Sequence, residues 1–268
     1  MNIDYDNGSG LALVVGGSSS IRYGSSAPAS PPPPYDDVIA EDAPIAWWKL
    51  DEADAATAIV DTQGLMNLNR EGTGTLGVPG IPSGGTAFDA NGVGRFVTPA
   101  PWNWAGIADA CTIECWFKDT PDHVGTQQRI MGNYASGSQG VVQFDIPVTT
   151  NRVRFYAATG SGLLSASAPP GSDFLDGEWH HLVGTRELVN GDSLVVKLYV
   201  DGQFQAQNTF AGVPTADLTA NFRIGGYGAS AALPCLGEID QTAVYDYVLS
   251  PSQIALHHRA GAYNPGAG

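Results

Sequence analysis

The sequence predicts an all-β protein: an antiparallel β-sandwich with a short C-terminal helix and an extended N-terminal arm. Three observations carry that prediction. The 268 residues include 34 glycines and 18 prolines, a density of chain breakers that suits many short strands joined by turns. Runs of alternating polarity bounded by Gly, Pro, Asn or Asp recur at 45–50, 86–89, 94–98, 111–118, 129–133, 141–146, 152–157, 180–186, 194–201, 222–225 and 237–245. Helical spacing with capping signals appears only near the end of the chain. Apolar residues make up 43% and aromatics 9%, enough to fill a core, and the length suits a single sandwich or barrel.

Residues 1–34 differ in composition from the rest and read as an arm. Glycine- and serine-rich stretches surround two apolar segments, and four prolines at 31–34 form a polyproline II spacer. So small a segment has no core of its own. Its apolar residues Leu11, Leu13, Val14, Val15, Ile21 and Tyr23 are predicted to anchor the chain by ordering on a partner. Residues 35–268 form the predicted globular head. Within it, Asp201-Gly202 reads as a tight hairpin turn. Ser250, Pro251 and Gln253 supply an N-cap, a first-turn proline and a capping box for one helix, which Gly261 closes.

Charge excludes several classes of function. Twelve basic residues against 27 acidic ones leave a net charge of −15. The three lysines, at 49, 118 and 197, are scattered. Nucleic-acid binding and docking on an anionic membrane need clustered cations, and none are present. No apolar stretch is long enough to span a bilayer, and the acidic opening residues predict no secretory signal. Cys111 and Cys115 lie four positions apart on one predicted strand, about 13 Å along it, too far for a disulfide. With Cys235 they are expected to be buried thiols.

A series of motifs, in order, resembles the laminin-G-like, concanavalin A-like jelly-roll modules. Ala46-Trp47-Trp48-Lys49-Leu50-Asp51-Glu52 is similar to the family's opening strand, and Asp61-Thr62-Gln63-Gly64 to the turn after it. Thr112-Ile113-Glu114-Cys115-Trp116-Phe117 resembles the Thr-Ile-Glu-x-Trp strand. Gly177-Glu178-Trp179-His180-His181-Leu182, Leu198-Tyr199-Val200-Asp201-Gly202 and Leu236-Gly237-Glu238-Ile239-Asp240 complete the order. Residues 35–44, leading into the Trp-Trp strand, resemble the lead-ins of such domains in virion proteins of tailed bacteriophages.

The resemblance implies a jelly roll and a choice of functions. Glycoside hydrolases of this fold need paired carboxylates. Glu238 and Asp240 match the first two acids of their motif, but Thr242 or Ala243 stands where the next glutamate belongs. The resemblance also implies a calcium ion, with Asp51, Asp61 and Asp240 as ligands, although Gln241 replaces an acid. Sugar binding needs exposed rings on loops. Trp102, Trp104, Tyr134 and Tyr227 lie in loop-like sequence, whereas Trp47, Trp48, Trp116 and Trp179 are expected in the core. Of His180 and His181, one is expected to point inward and bond a backbone carbonyl.

Taken together, these features predict a non-enzymatic bacteriophage virion protein, serving in capsid decoration, in a fibre or in the tail. Its arm would hold other virion proteins, and its head would adhere to glycans, alone or as a homo-oligomer. The virion would assemble in the host cytoplasm. The alternatives are a carbohydrate-binding module of an exported bacterial protein, acting outside the cell, and a glycoside hydrolase.

Overall fold

The structure, a computed structural model, describes residues 30–101, 107, 109–120, 125–133, 142–159, 162–212, 220–226 and 233–266, together with the backbone of 13–14, 22–23 and 227. The chain divides into two compact units, Met1–Pro32 and Pro33–Gly268. In the first, β1 (Leu13–Val14) pairs antiparallel with β2 (Arg22–Tyr23), with Leu13 opposite Tyr23 and Val14 opposite Arg22. The side chains of these four residues lie outside the described residues, as do Leu11, Val15 and Ile21 entirely.

The second unit is a sandwich of two antiparallel sheets. In chain order its elements are α1 (Tyr35–Glu41), β3 (Ala46–Trp48), β4 (Ala58–Ile59), β5 (Leu68–Glu71), β6 (Thr75–Pro79), β7 (Thr86–Asp89), β8 (Arg95–Val97), β9 (Ala110–Asp119), β10 (Gln128–Gly132), β11 (Gln143–Ile146), β12 (Arg154–Ala158), β13 (Leu163–Ser167), β14 (Trp179–Val189), β15 (Ser193–Val200), β16 (Gln203–Ala211), β17 (Arg223–Ile224), β18 (Gly226–Tyr227), β19 (Leu233–Pro234), β20 (Gly237–Tyr245) and α2 (Pro251–Gly261). One sheet runs β16-β15-β14-β9-β20-β7-β6, with β3 also on β20. The other runs β13-β12-β11-β10-β17-β8-β5-β4.

Alternation along the strands builds the core. On β9, Cys111, Ile113, Cys115 and Phe117 face the opposite sheet, while Glu114 and Trp116 face away from it. Phe88 of one sheet meets Phe96 of the other edge to face at 4.7 Å, and Trp48 stacks on Phe222 at 5.2 Å. Both contacts join the sheets through large rings, the side chains that bury most apolar area. At Gly184 a Cβ would lie 2.2 Å from Phe155 Cδ2, so the missing side chain is what lets that ring lie against β14.

A second apolar cluster sits on the outer face of the first sheet. Tyr35, Val38 and Ile39 of α1 and Ile254 and Ala260 of α2 cover Trp47, Trp116, Val183 and Tyr245. This explains why the central strands β9, β14 and β20 are buried on both faces. The predicted helix is α2, and its capping box is present: Ser250 Oγ accepts from Gln253 N, and Ser250 N donates to Gln253 Oε1 at 2.9 Å. Helix α1 is a second helix that the sequence reading did not predict. It starts after Pro34 with no side-chain cap and is held by its apolar side on the sheet. Gly261 lies inside α2, where a Cβ would come within 2.4 Å of Trp116.

Asp201 and Gly202 both have positive φ, 52° and 73°, which gives the tight turn between β15 and β16. All three cysteines are free and buried; burial pushes the Cys111 thiol up to about 12. Trp47, Trp48 and Trp116 are core residues, and Trp179 is half-buried beneath the Lys118 ammonium. Among the described residues no helix is long and apolar enough to cross a membrane.

Gly184→Ala forces the ring of Phe155 out of place and is expected to lower stability by about 1–3 kcal/mol in urea unfolding. Adding Phe155→Leu should recover part of the loss, because the shorter side chain makes room for the new methyl.

Candidate functional site

The two outer faces of the sandwich differ in kind. On the helix-covered face the centre is Glu114, fully buried on β9. Its Oε1 accepts from Tyr245 Oη at 2.5 Å, and its Oε2 pairs with His181 Nε2 at 3.0 Å and His257 Nδ1 at 2.9 Å. The other nitrogen of His257 meets Asp42 Oδ2 at 2.8 Å. Asp42 in turn accepts from Gln253 Nε2 at 2.8 Å, and its carbonyl accepts from Tyr247 Oη at 2.7 Å. The chain of contacts therefore joins sheet, α2 and the C-terminal cap of α1. Trp116 lies against both His181, at 5.1 Å, and His258, at 5.7 Å, two rings that are themselves 6.4 Å apart, and its Nε1 donates to Tyr35 Oη.

Charge follows from these contacts. Burial alone would raise the Glu114 carboxyl, but His257 and His181 outweigh it and hold it well below the usual carboxylate range. Burial would lower His257, but Glu114 and then Asp42 raise it to about 9. A ring whose two nitrogens both face carboxylates is an imidazolium that donates twice. The histidine expectation is corrected here. His181 bonds the Glu114 carboxylate, and His180 bonds Asp201 at 2.7 Å and Asp176 at 3.1 Å. Backbone carbonyls in these strands already serve the ladder, while the carboxylates lie within reach. Glu114, His181 and His257 have no exposed side-chain surface, so this cluster joins elements and meets no outside substrate.

No helix among the described residues packs on the second sheet's outer face, which carries polar cross-strand rows. Arg129, Asp145, Arg154 and Ser167 are register neighbours in one row. Arg154 Nε donates to Asp145 Oδ1 at 2.7 Å, and Arg129 pairs with Asp145 Oδ2. In the other row stand Ser165, Tyr156, Gln143, Gly132, Arg223, Val97 and Asn69. With its carboxamide oriented to accept from Arg129 Nε at 2.7 Å, Gln143 donates to Tyr156 Oη at 2.8 Å. Both guanidiniums lie about 5.5 Å from the centre of the Tyr156 ring. The sequence reading missed this cluster, because its members are drawn from three strands with no shared local motif.

The predicted sugar-stacking residues Trp102, Trp104 and Tyr134 lie outside the described residues, as does the side chain of Tyr227. The strand ends that precede them are described. Val97, before Trp102 and Trp104, and Gly132, before Tyr134, are both register partners of Arg223. Those two segments therefore leave the sheet at one end, two strand spacings or about 10 Å apart. Tyr227 follows Ile224, at the other end of β17.

The predicted calcium ligands do not fit a cation shell. Asp61 accepts from four backbone amides: Trp47 and Gln63 on Oδ1, at 2.9 and 3.0 Å, and Leu65 and Met66 on Oδ2, both at 3.0 Å. Its lone pairs are spent on the turn. Asp51 accepts from Thr86 N at 2.6 Å. Asp240 is buried, takes Ile81 N at 3.0 Å on one oxygen, and has its carboxyl pushed well up by burial, which favours the neutral form. Among the described residues no group of three or more His, Cys, Asp or Glu is arranged to hold a metal. Glu238, the other acid of the hydrolase motif, pairs with Lys118 at 3.3 Å.

A two-sheet sandwich of this topology defines a lectin-type β-domain. Residues 91–255, more than half of the chain, match the family described as the concanavalin A-like lectin/glucanases superfamily, and the chain belongs to it. Curated proteins return no match to the sequence. Among solved structures, the fold is similar to the receptor-binding domain of a botulinum neurotoxin C/D mosaic serotype, with TM-score 0.62, 14% identity, 81% of this chain and 51% of that one. A botulinum neurotoxin DC binding domain, in complex with SialylT, gives 0.61 at 12% identity over 83% and 52%. Trypanosoma rangeli sialidase, with a difluoro-KDN ligand, gives 0.57 at 17% over 81% and 32%. The chain thus spans about half the length of the neurotoxin domains.

Two expectations follow. His257 is raised from 6.5 to about 9 by folding, so its stabilisation is complete below pH 6.5 and is lost as pH rises through 9. Its size is on the order of 3 kcal/mol. Thermal unfolding should show the midpoint falling between pH 6.5 and 9.5, and His257→Gln should flatten that slope. Asp61→Ala leaves four amides without their acceptor and should cost about 2–4 kcal/mol, with no dependence on added calcium or chelator.

Proposed function

We propose that this protein is a non-catalytic, glycan-binding module displayed on a bacteriophage particle and fixed there through residues 1–34. One observation carries the binding half of the reading. The lectin-type sandwich has its first sheet covered by α1 and α2, while on the second Arg154, Arg223, Ser165 and Ser167 stay half-buried in cross-strand rows above the buried Gln143, Asp145 and Tyr156. Segments bearing Trp102, Trp104 and Tyr134 leave that sheet from one end. Rings and planar hydrogen-bonding groups are what sugar C–H faces and hydroxyls require. The neurotoxin binding domains of similar fold, one of them solved in complex with SialylT, support the same direction.

The absence of turnover in this reading rests on the acids. Glu238 is engaged by Lys118, Asp240 is buried, and Thr242 and Ala243 carry no carboxylate. A hydrolase needs one carboxyl to protonate the leaving oxygen and another to attack or to activate water. The virion half of the reading is supported by the phage-like lead-in at 35–44 and by the separate N-terminal unit.

A glycan array probed with the full chain should give hits that weaken at least about tenfold in Trp102→Ala or Trp104→Ala and persist in Glu238→Gln. Retention of every hit in the tryptophan variants would remove the aromatic end as the site. Deleting residues 1–30 should leave a folded head that no longer co-purifies with particles, and undiminished incorporation would refute the anchor.

A further inference from the structure

We propose that Arg186 is an oxyanion site whose guanidinium takes the carboxylate of an acidic sugar, an assignment that rests on the glycan-binding reading. Arg186 lies on β14 with 1% of its surface exposed. Side chains alternate along a strand, so it shares the inward face of Leu182 and Gly184. Its register partners Cys111 and Val196 both belong to the core between the sheets. Among the described residues, its Nε and Nη1 are buried with no hydrogen-bond partner.

The other arginines are served differently. Arg70, Arg95, Arg129 and Arg154 pair with carboxylates, and Arg152 donates to the Ala168 carbonyl at 2.6 Å. A guanidinium keeps its proton at every ordinary pH. Arg186 therefore places a lasting positive charge in apolar surroundings, where a charge is costly without an anion beside it. Burial pulls its pKa down, against the opposing pull of the Cys111 thiol and the Asp109 carboxylate. Asp109 itself stays exposed.

The position suits an arriving ligand. β9 begins at Ala110, so the Cys111–Arg186 pair is the first inward row at that end of the strand. The chain reaches this start from the end of β8 in the other sheet, and Trp102 and Trp104 lie on that crossover in the sequence. A sugar held at this end needs to insert only a small planar group to meet the guanidinium. A carboxylate is such a group, because its two coplanar oxygens match the planar fork of an arginine. A net charge of −15 repels free anions at long range. The anion that binds must therefore bring further contacts, which a sugar ring supplies and a bare acid does not.

The test is an array of glucuronate- and sialate-terminated oligosaccharides beside their carboxyl-reduced counterparts, probed with the full chain. Calorimetric titration with the strongest hit, its reduced form and sodium acetate follows. The acid is expected to bind at least about tenfold tighter than the reduced form or acetate, and Arg186→Met to lose that advantage. The variant should fold with a thermal midpoint at or above that of wild type, because it removes an uncompensated buried charge. A lower midpoint reveals a structural partner and overturns the proposal. Equal wild-type binding of acid and reduced forms overturns it without any variant, and leaves the lectin reading standing. Acetate binding as tightly as the acidic glycan removes the sugar as the ligand, and an array with no hits overturns both readings.

Discussion

Everything on the covered side of this sandwich depends on one buried carboxylate. Glu114 stands in the middle of the sheet, where an unpaired charge would cost several kcal/mol to desolvate. Two histidines and a tyrosine converge on it, from β14, α2 and β20, and Asp42 at the end of α1 completes the chain through His257. The arrangement requires both helices to dock in one position, since a shift of either breaks a contact to a buried charge. Apolar packing brings the helices down; the hydrogen-bonded network fixes where they sit.

That docking also divides the labour between the faces. With α1 and α2 on the first sheet, His181, His257, Glu114 and Asp240 are closed off, and their resemblance to catalytic side chains is one of type only. The second sheet keeps its arginines, glutamine and tyrosine on the side away from the core. Asp145 pairs with the guanidiniums of both Arg129 and Arg154.

Much of this was legible in the residues where the cause is local. The capping box of α2 reads directly from Ser250, Pro251 and Gln253, and the β15–β16 turn from Asp201-Gly202. Alternation along 111–118 separates the inward cysteines from the outward Glu114 and Trp116. Helix α1 was not legible, because no side chain caps its start and Asp36 and Asp37 in its first turn are a weak signal alone; the sheet beneath Tyr35, Val38 and Ile39 holds it. The partner of Glu114 was hidden for a related reason, since His257 lies 143 positions away. Asp61 misled because an aspartate that gathers amides in a tight turn and one that binds a cation leave the same short pattern. The short strands β4, β5 and β6 carry too few apolar residues to stand out from loops.

Helix α1 also decides how the head answers a pull. It follows the four prolines directly, and its cap residue Asp42 is fastened to His257, which is fastened to the middle strand of a broad sheet. Tension arriving along the backbone at Tyr35 would therefore meet a helix bonded through His257 to the central strand β9. A leash tied to a marginal strand would instead open the sheet one bond at a time, like a zip.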